Sequence, residues 1–362
     1  TGNAEQLVLE GSFPDIGMGG NAGMNGWLEL DLPLDLNELV KKENTDLSVY
    51  VQESIESIQS YSSSGQLLAL PMWINNYVAL YNKDIFDRFG VEYLEDEMTW
   101  AEMTEVARSL TRLDEGVQYK GLSIGNLHQL GEQLGLTMAI DDKATLNTDG
   151  WQTVYTVLRD LYSIPGNEPS NPASLGGATD TGFFSDHNLA ILASFGSRLT
   201  RAATASQDNT ITFDWDVVSY PSHTQNPGVG PRFDAQVYFV SKTSDHPEEA
   251  FQVIHHVTSD LETQSSIARS GKARPAINVD NLDEIFGTDF RILQGKNIQG
   301  IGKSFPNMEF RSTPYDSAAR RILREEFAVY FSGEVDLNTA LRDAEEKLNA
   351  EIEVIKEQRG QE

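Results

Sequence analysis

The sequence holds no cysteine in its 362 residues. Disulfides, thiolate metal sites and cysteine nucleophiles are therefore excluded, which suits an exported bacterial protein as well as many cytosolic ones. Basic residues are scarce: 27 lysines and arginines face 55 aspartates and glutamates, a formal net charge of -28. Such a balance repels nucleic-acid phosphates and anionic lipid, so nucleic acid drops out as a partner. No apolar run approaches the ~18 residues of a membrane span, and no signal peptide remains, so an exported chain is expected to have had its targeting segment removed. Histidine is limited to six residues. None stands in H-E-x-x-H or a similar ligand spacing, and the adjacent His255 and His256 fall on different faces of a helix and cannot chelate together. The acids between 28 and 36 lack the D-x-[DN]-x-[DN]-G order of a calcium loop and read as a solvated face. No cofactor is expected.

What is present is an ordinary globular composition, 39% hydrophobic, on a chain long enough for two domains. The opening residues 1–11 read as a helix tail ending at Gly11. Residues 17–26 read as a glycine-rich loop lining a groove, and 28–36 as an extended segment with one buried face. Asp35 and Glu38 have capping-box spacing, a helix is expected over 49–60, and a strand over 66–70. Further on, Thr99 and Glu102 form a second capping box with Trp100 as a core anchor. Strands are expected over 120–124, 189–193, 213–218 and 235–240. Helices are expected over 128–136, 150–162 with Asp149 as cap, 196–205, from Pro247 onward, and from a box opened by Ser259 and closed by Glu262. Residues 165–182 read as a loop and 221–233 as a linker. Two helices, 315–331 and 335–356, close the chain. Strands alternating with helices give an α/β protein.

Two motifs invite a catalytic or cofactor reading. Gly17-Met18-Gly19-Gly20-Asn21-Ala22 matches G-x-G-x-x-A, but the Gly and Asn residues of 23–26 argue against the helix a dinucleotide needs. Gly121-Leu122-Ser123-Ile124-Gly125 matches the nucleophile elbow of serine hydrolases, with His187 or His223 as conceivable partners. This keeps a hydrolase using Ser123 as the alternative function. Against both stands a pattern of aromatic rings beside planar polar groups at loop ends: Trp73 with Asn75 and Asn76, Phe195 with Ser197 and Arg198, Arg232 with Asp234 and Gln236, Arg311 with Tyr315. Ring faces stack on the C–H faces of sugars and planar groups hydrogen-bond hydroxyl pairs, a set that binds a polyol without reacting with it. The stretch 70–86 concentrates these groups where a strand over 77–81 turns into a helix capped by Asn82, which suits a hinge and the floor of a groove.

The chain resembles the family 1 extracellular solute-binding proteins, sugar receptors of bacterial ABC importers related to maltose-binding protein. The resemblance rests on Leu70-Pro71, the run from Tyr77 to Phe86, Thr99-Trp100-Ala101-Glu102-Met103, Gly196-Ser197, the run from Val240 to Phe251, and that from Val335 to Leu341. It implies a two-lobed, hinged, periplasmic-binding-protein-like fold of type II. Lobes of 1–76 with 236–300, and of 77–235 with 301–362, are expected, with ligand held in the interlobe cleft. Site residues implied are Gly19 and Asn21, Trp73, Asn75 and Asn76, His128, Phe195, Ser197 and Arg198, Arg232, Asp234 and Gln236, and Tyr315. Arg198 stands where relatives often carry tryptophan, so an anionic sugar becomes conceivable. The resemblance also implies an oligosaccharide ligand, permease subunits as partners, a monomer, and export as a lipid-anchored surface protein of a Gram-positive bacterium or as a periplasmic one. Relatives have a strand, a helix and a second strand before the helix ending at Gly11, so an N-lobe lacking that first strand-helix-strand is expected. A receptor for a peptide, siderophore or other non-sugar solute is the remaining binding alternative.

Overall fold

The computed structural model describes residues 2–62, 64–169, 171–174 and 180–359. The chain divides into two compact units, Thr1–Asn76 with Phe233–Gln294, and Tyr77–Arg232 with Gly295–Glu362. The second and third crossings thus fall three and six residues earlier than the resemblance places them. Asp234 is the reason for the first shift: its carbonyl accepts from the Asn75 N–H at 2.9 Å, which holds it in the first unit.

The first unit is built on a four-stranded sheet in the order Ile16–Gly20, Ala235–Val240, Leu70–Ile74, Arg274–Pro275. Every neighbouring pair is antiparallel. Residues 17–26 are therefore not a loop. They complete that first strand and run on through a short 3-10 turn into the helix Met24–Glu29. The glycines serve packing: a Cβ on Gly17 would sit 2.1 Å from the Phe239 ring, and one on Gly19 would sit 2.5 Å from the Trp27 indole. Only glycine lets those two rings close on the strand. The same helix takes the first part of the segment expected to be extended, and the strand expected over 66–70 begins only at Leu70. Helix Gln52–Gln59 starts later than expected, after a 3-10 turn at Leu47–Val49. The Asp35 box does not form: its carboxylate accepts from the Asn37 N–H at 3.1 Å while Glu38 bonds Lys41. Helix Pro247–Ser259 begins on its proline, and the next helix is capped by Asp260 rather than Ser259, through the Thr263 N–H at 2.8 Å. Phe239, Phe251 and Tyr50 are fully buried in this unit, and the Tyr50 hydroxyl is satisfied by Thr258 at 2.7 Å.

The second unit carries a five-stranded mixed sheet ordered Arg112–Asp114, Val117–Ile124, Leu189–Phe195, Tyr77–Asn82, Trp215–Ser219. Strand Val117–Ile124 runs parallel to Leu189–Phe195, which requires the helical crossover between them. Tyr77–Asn82 lies inside the sheet, buried at every position, which explains its unbroken apolar character up to residue 81. Asn82 ends it by accepting from the Ile85 N–H at 3.3 Å, and the Thr99–Glu102 capping box starts helix Trp100–Leu110. Trp100, Trp151, Phe86 and Phe327 fill the core. Helices Asp316–Ser332 and Leu337–Arg359 close the unit. Helix Asp149–Tyr162 is capped by Thr148, one residue before the expected Asp149. The expected linker over 221–233 contains the strand Val229–Arg232, parallel to Phe305–Asn307, with its register broken around Pro231, which has no N–H to donate. Of the expected loop over 165–182, residues 170 and 175–179 lie outside the described residues, and Thr181–Phe184 is a short helix.

Candidate functional site

In the first unit, sheet register sets Gly20, Gln236, Trp73 and Pro275 side by side on four successive strands. From Trp73 a hydrogen-bonded run continues off the strand end. The indole Nε1–H donates to Asn75 Oδ1 at 3.2 Å, and Asn75 Nδ2 donates to Asp234 Oδ1 at 2.6 Å. Indole is only a donor and an ionised carboxylate only an acceptor, so the Asn75 amide can face them in one orientation alone. One amide N–H and the second Asp234 oxygen are left over for another molecule. All three side chains are half-buried. The Lys272 ammonium lies 4.0 Å from the centre of the Trp73 ring. A Cβ on Gly20 would meet nothing within 4 Å, so the space beside Gln236 is open.

Two expected ligand residues of this unit serve the fold instead. Gly19 is covered by Trp27. Asn21, 1% exposed, accepts from the Ala235 N–H at 3.3 Å and donates to the Phe233 carbonyl at 3.3 Å, tying down the chain as it enters the unit. Asn76 is buried at the last residue before the first crossing.

The second unit holds a buried ionic cluster. Glu132, 1% exposed, ends the helix Leu127–Glu132 and lies 3.4 Å from Arg232 Nε, 3.4 Å from Arg320 Nη2 and 3.9 Å from His128 Nε2. Arg320 also reaches Asp316 at 3.7 Å, and Asp316 accepts from the Ser312 hydroxyl and from the Thr313 hydroxyl, both at 2.8 Å. The Arg232 guanidinium stands 5.7 Å from the Phe310 ring centre. Burial, and then the charges of Arg320, Arg232 and Arg324, hold the His128 imidazole well below its ordinary pKa, so it is neutral. Arg232 thus faces Glu132 within the second unit, while Asp234 and Gln236 belong to the first. Arg198 is also answered: its Nε lies 2.9 Å from Asp180 Oδ2, an oxygen shared with Arg201 at 2.7 Å. Its Nη1 donates to Ser197 at 3.3 Å, and Ser197 itself is exposed. Phe195 packs on Tyr77 with ring centres 4.9 Å apart. Tyr315 is 5% exposed and donates its hydroxyl to Asp142 at 2.7 Å, while Arg311 donates to the Phe310 carbonyl at 3.0 Å.

A family model for bacterial extracellular solute-binding proteins matches residues 2–262. The chain belongs to that family. It is similar in fold to an ABC substrate-binding protein of Listeria monocytogenes solved with cycloalternan, at a TM-score of 0.76 and 20% identity, covering 97% of this chain and 88% of that one. A sugar transporter protein of Rhizobium etli in an open conformation gives 0.75 and 19%, covering 96% and 88%. The sugar-binding protein MalE of Xanthomonas citri gives 0.71 and 15%, covering 99% and 88%. A mannitol-binding protein of Pseudomonas aeruginosa is 30% identical over 140 residues, 37% of this chain and 28% of that protein.

In this solute-binding protein the hydrolase motif lacks its geometry. Ser123 is the next-to-last residue of strand Val117–Ile124, opposite Leu192 and 7% exposed, whereas an elbow needs the serine on a sharp strand-to-helix turn. The following helix begins only at Leu127. His223 Nε2 stands 2.9 Å from the Leu130 carbonyl, and burial pushes its pKa down to about 4, so it is a neutral donor already in use. His187 packs against Phe213 at 5.3 Å. Among the described residues no group of three or more His, Asp or Glu could hold a metal.

Sequence reasoning missed Glu132, Arg320 and Lys272. Glu132 left one readable signal, its i,i+4 spacing from His128 on one helix. Lys272, just past the helix-ending Gly271, left none.

Proposed function

We propose that this chain is the extracellular or periplasmic ligand-binding component of an ABC importer, that it binds a carbohydrate without chemistry of its own, and that it delivers it to membrane permease subunits. It acts as a monomer, held at the cell surface by a lipid anchor or free in a periplasm. The observation that carries the carbohydrate reading is the Trp73–Asn75–Asp234 run, an aromatic face followed by one spare amide N–H and one spare carboxylate oxygen. A vicinal diol needs that acceptor and donor together, and the C–H face of its ring suits the indole. The ligands named for the similar proteins, cycloalternan, sugars and mannitol, support the same ligand class. Gln236 extends the run along the sheet. His128 and Phe195, both half-buried, are the second unit's candidates. Arg232, Arg198 and Tyr315 are assigned to structure, because their polar groups face Glu132, Asp180 and Asp142.

Calorimetric titration with a panel of neutral and acidic oligosaccharides and sugar alcohols tests the reading. At least one ligand is expected to bind at micromolar concentration or below, with an emission change that Trp73→Phe abolishes. No heat from any of them overturns the carbohydrate assignment.

A further inference from the structure

Three lysines of the described chain rest on aromatic rings, and one differs from the others. Lys83 lies over Tyr93 and Lys296 over Trp215, and both also pair with Asp214, at 2.7 and 3.5 Å. Lys272 lies over Trp73 and forms no ion pair among the described residues. Other cations of its unit do find acids: Arg269 pairs with Glu262 at 2.7 Å, and Lys242 pairs with Asp31, although Arg274, like Lys272, forms no ion pair among the described residues. In a chain with 55 acids to 27 bases, an exposed lysine left on an indole without a carboxylate stands out.

We infer that Lys272 sets ligand specificity at Trp73, favouring a sugar that carries a carboxylate over its neutral counterpart. This rests on the carbohydrate reading above. A neutral ring that stacks on the indole must displace the ammonium and forfeit the cation–π contact. A ring bearing a carboxylate displaces it too, but gives the displaced ammonium a charge-assisted ion pair in exchange. The opposing charge in the set is Asp234, which is placed beyond Asn75 at the indole N–H edge rather than over the ring face. Hydroxyls are therefore directed toward Asn75 and Asp234, and the acid toward Lys272. The anionic preference that the sequence attached to Arg198 moves to this lysine, because the Arg198 guanidinium is already held on Asp180, whereas Lys272 has no carboxylate among the described residues.

The test is calorimetry on the full chain with matched pairs that differ only in oxidation of C6 to a carboxylate, galactose with galacturonate, which differ at one carbon, and galactobiose with digalacturonate, which differ at two. Wild type is expected to prefer the acid in at least one pair. Lys272→Met should tighten the neutral member about two- to fivefold, the worth of an exposed cation–π contact, and weaken the acidic one roughly tenfold. Lys272→Arg should keep the preference. If both members of a pair change together, or neither changes, Lys272 has no part in specificity and the inference fails while the carbohydrate reading stands. If no sugar or polyol gives heat with wild type, the carbohydrate reading fails and takes the inference with it.

Discussion

The end of the sheet in the first unit and the buried cluster in the second use similar side chains to opposite effect. Trp73, Asn75 and Asp234 are half-buried, and their hydrogen bonds form a chain that leaves a donor and an acceptor unspent. Glu132, Arg232 and Arg320 sit at 1%, 7% and 20% side-chain exposure, with the cations turned on the carboxylate. A polar group in low dielectric has to find its partner inside the protein, whereas one at the surface can wait for a ligand. Residue type does not separate the two cases, because a cation beside an aromatic ring occurs in both, Lys272 on Trp73 and Arg232 near Phe310. Spent or unspent hydrogen-bonding capacity does.

The largest effect expected concerns the buried side of that contrast. Glu132→Ala leaves Arg232 and Arg320 without their shared counter-charge and should cost about 3–5 kcal/mol. That corresponds to a fall in melting temperature of roughly 10 °C for a unit of this size. A fall of less than about 2 °C would mean that the cluster is solvated and the contrast is false.

Acid comes next. His128 and His223 both have folded-state pKa values below the ordinary 6.5, the latter about 4, chiefly through burial. Below pH 6.5 the unfolded chain takes up these protons and the folded one does not, so stability is complete above 6.5 and is lost as pH falls toward the folded values. His223 alone should contribute a loss of about 3 kcal/mol between pH 7 and 4. Denaturant melts across that range check it. His223→Gln, which keeps a donor for the Leu130 carbonyl, should flatten the slope, and an unchanged slope would locate the titration elsewhere.

On the open side, Trp73→Ala should weaken the bound sugar roughly tenfold. It should shift the melting temperature by no more than about 2 °C, since the indole is half-exposed. Large destabilisation with intact binding would turn Trp73 into a packing residue. The smallest effect is expected at Arg198. Its ion pair with Asp180 is partly exposed, so Arg198→Gln should cost less than about 1 kcal/mol and leave affinity for neutral and acidic sugars unchanged. A selective loss of acidic ligands would restore it to the binding set.

The readable part of the fold was local. The Thr99–Glu102 capping box, Pro247 at a helix start, Asn82 at a strand-to-helix turn and the unbroken apolar run over 77–81 are short-range signals, and each has a counterpart in the structure, whereas the boxes expected at Asp35 and Ser259 do not form. Errors came where distant packing overrode local chemistry. The glycines of Ile16–Gly20 look like a flexible loop until the Phe239 and Trp27 rings that need their missing Cβ atoms are known. Asn21 looks like a ligand residue until Ala235, more than two hundred residues away, is seen to donate to it.

For the site, the sequence determined the chemistry on offer, aromatic faces beside amides and guanidinium groups near chain crossings in an acidic protein without cysteine, and the family to which it belongs. Tertiary structure alone decided which of those groups are still available. Hydrogen bonds and ion pairs form between side chains a hundred or more positions apart, Asn75 with Asp234 and Glu132 with Arg232 and Arg320. A donor's spare capacity is a property of its surroundings in space, and it cannot be read from its neighbours in the chain.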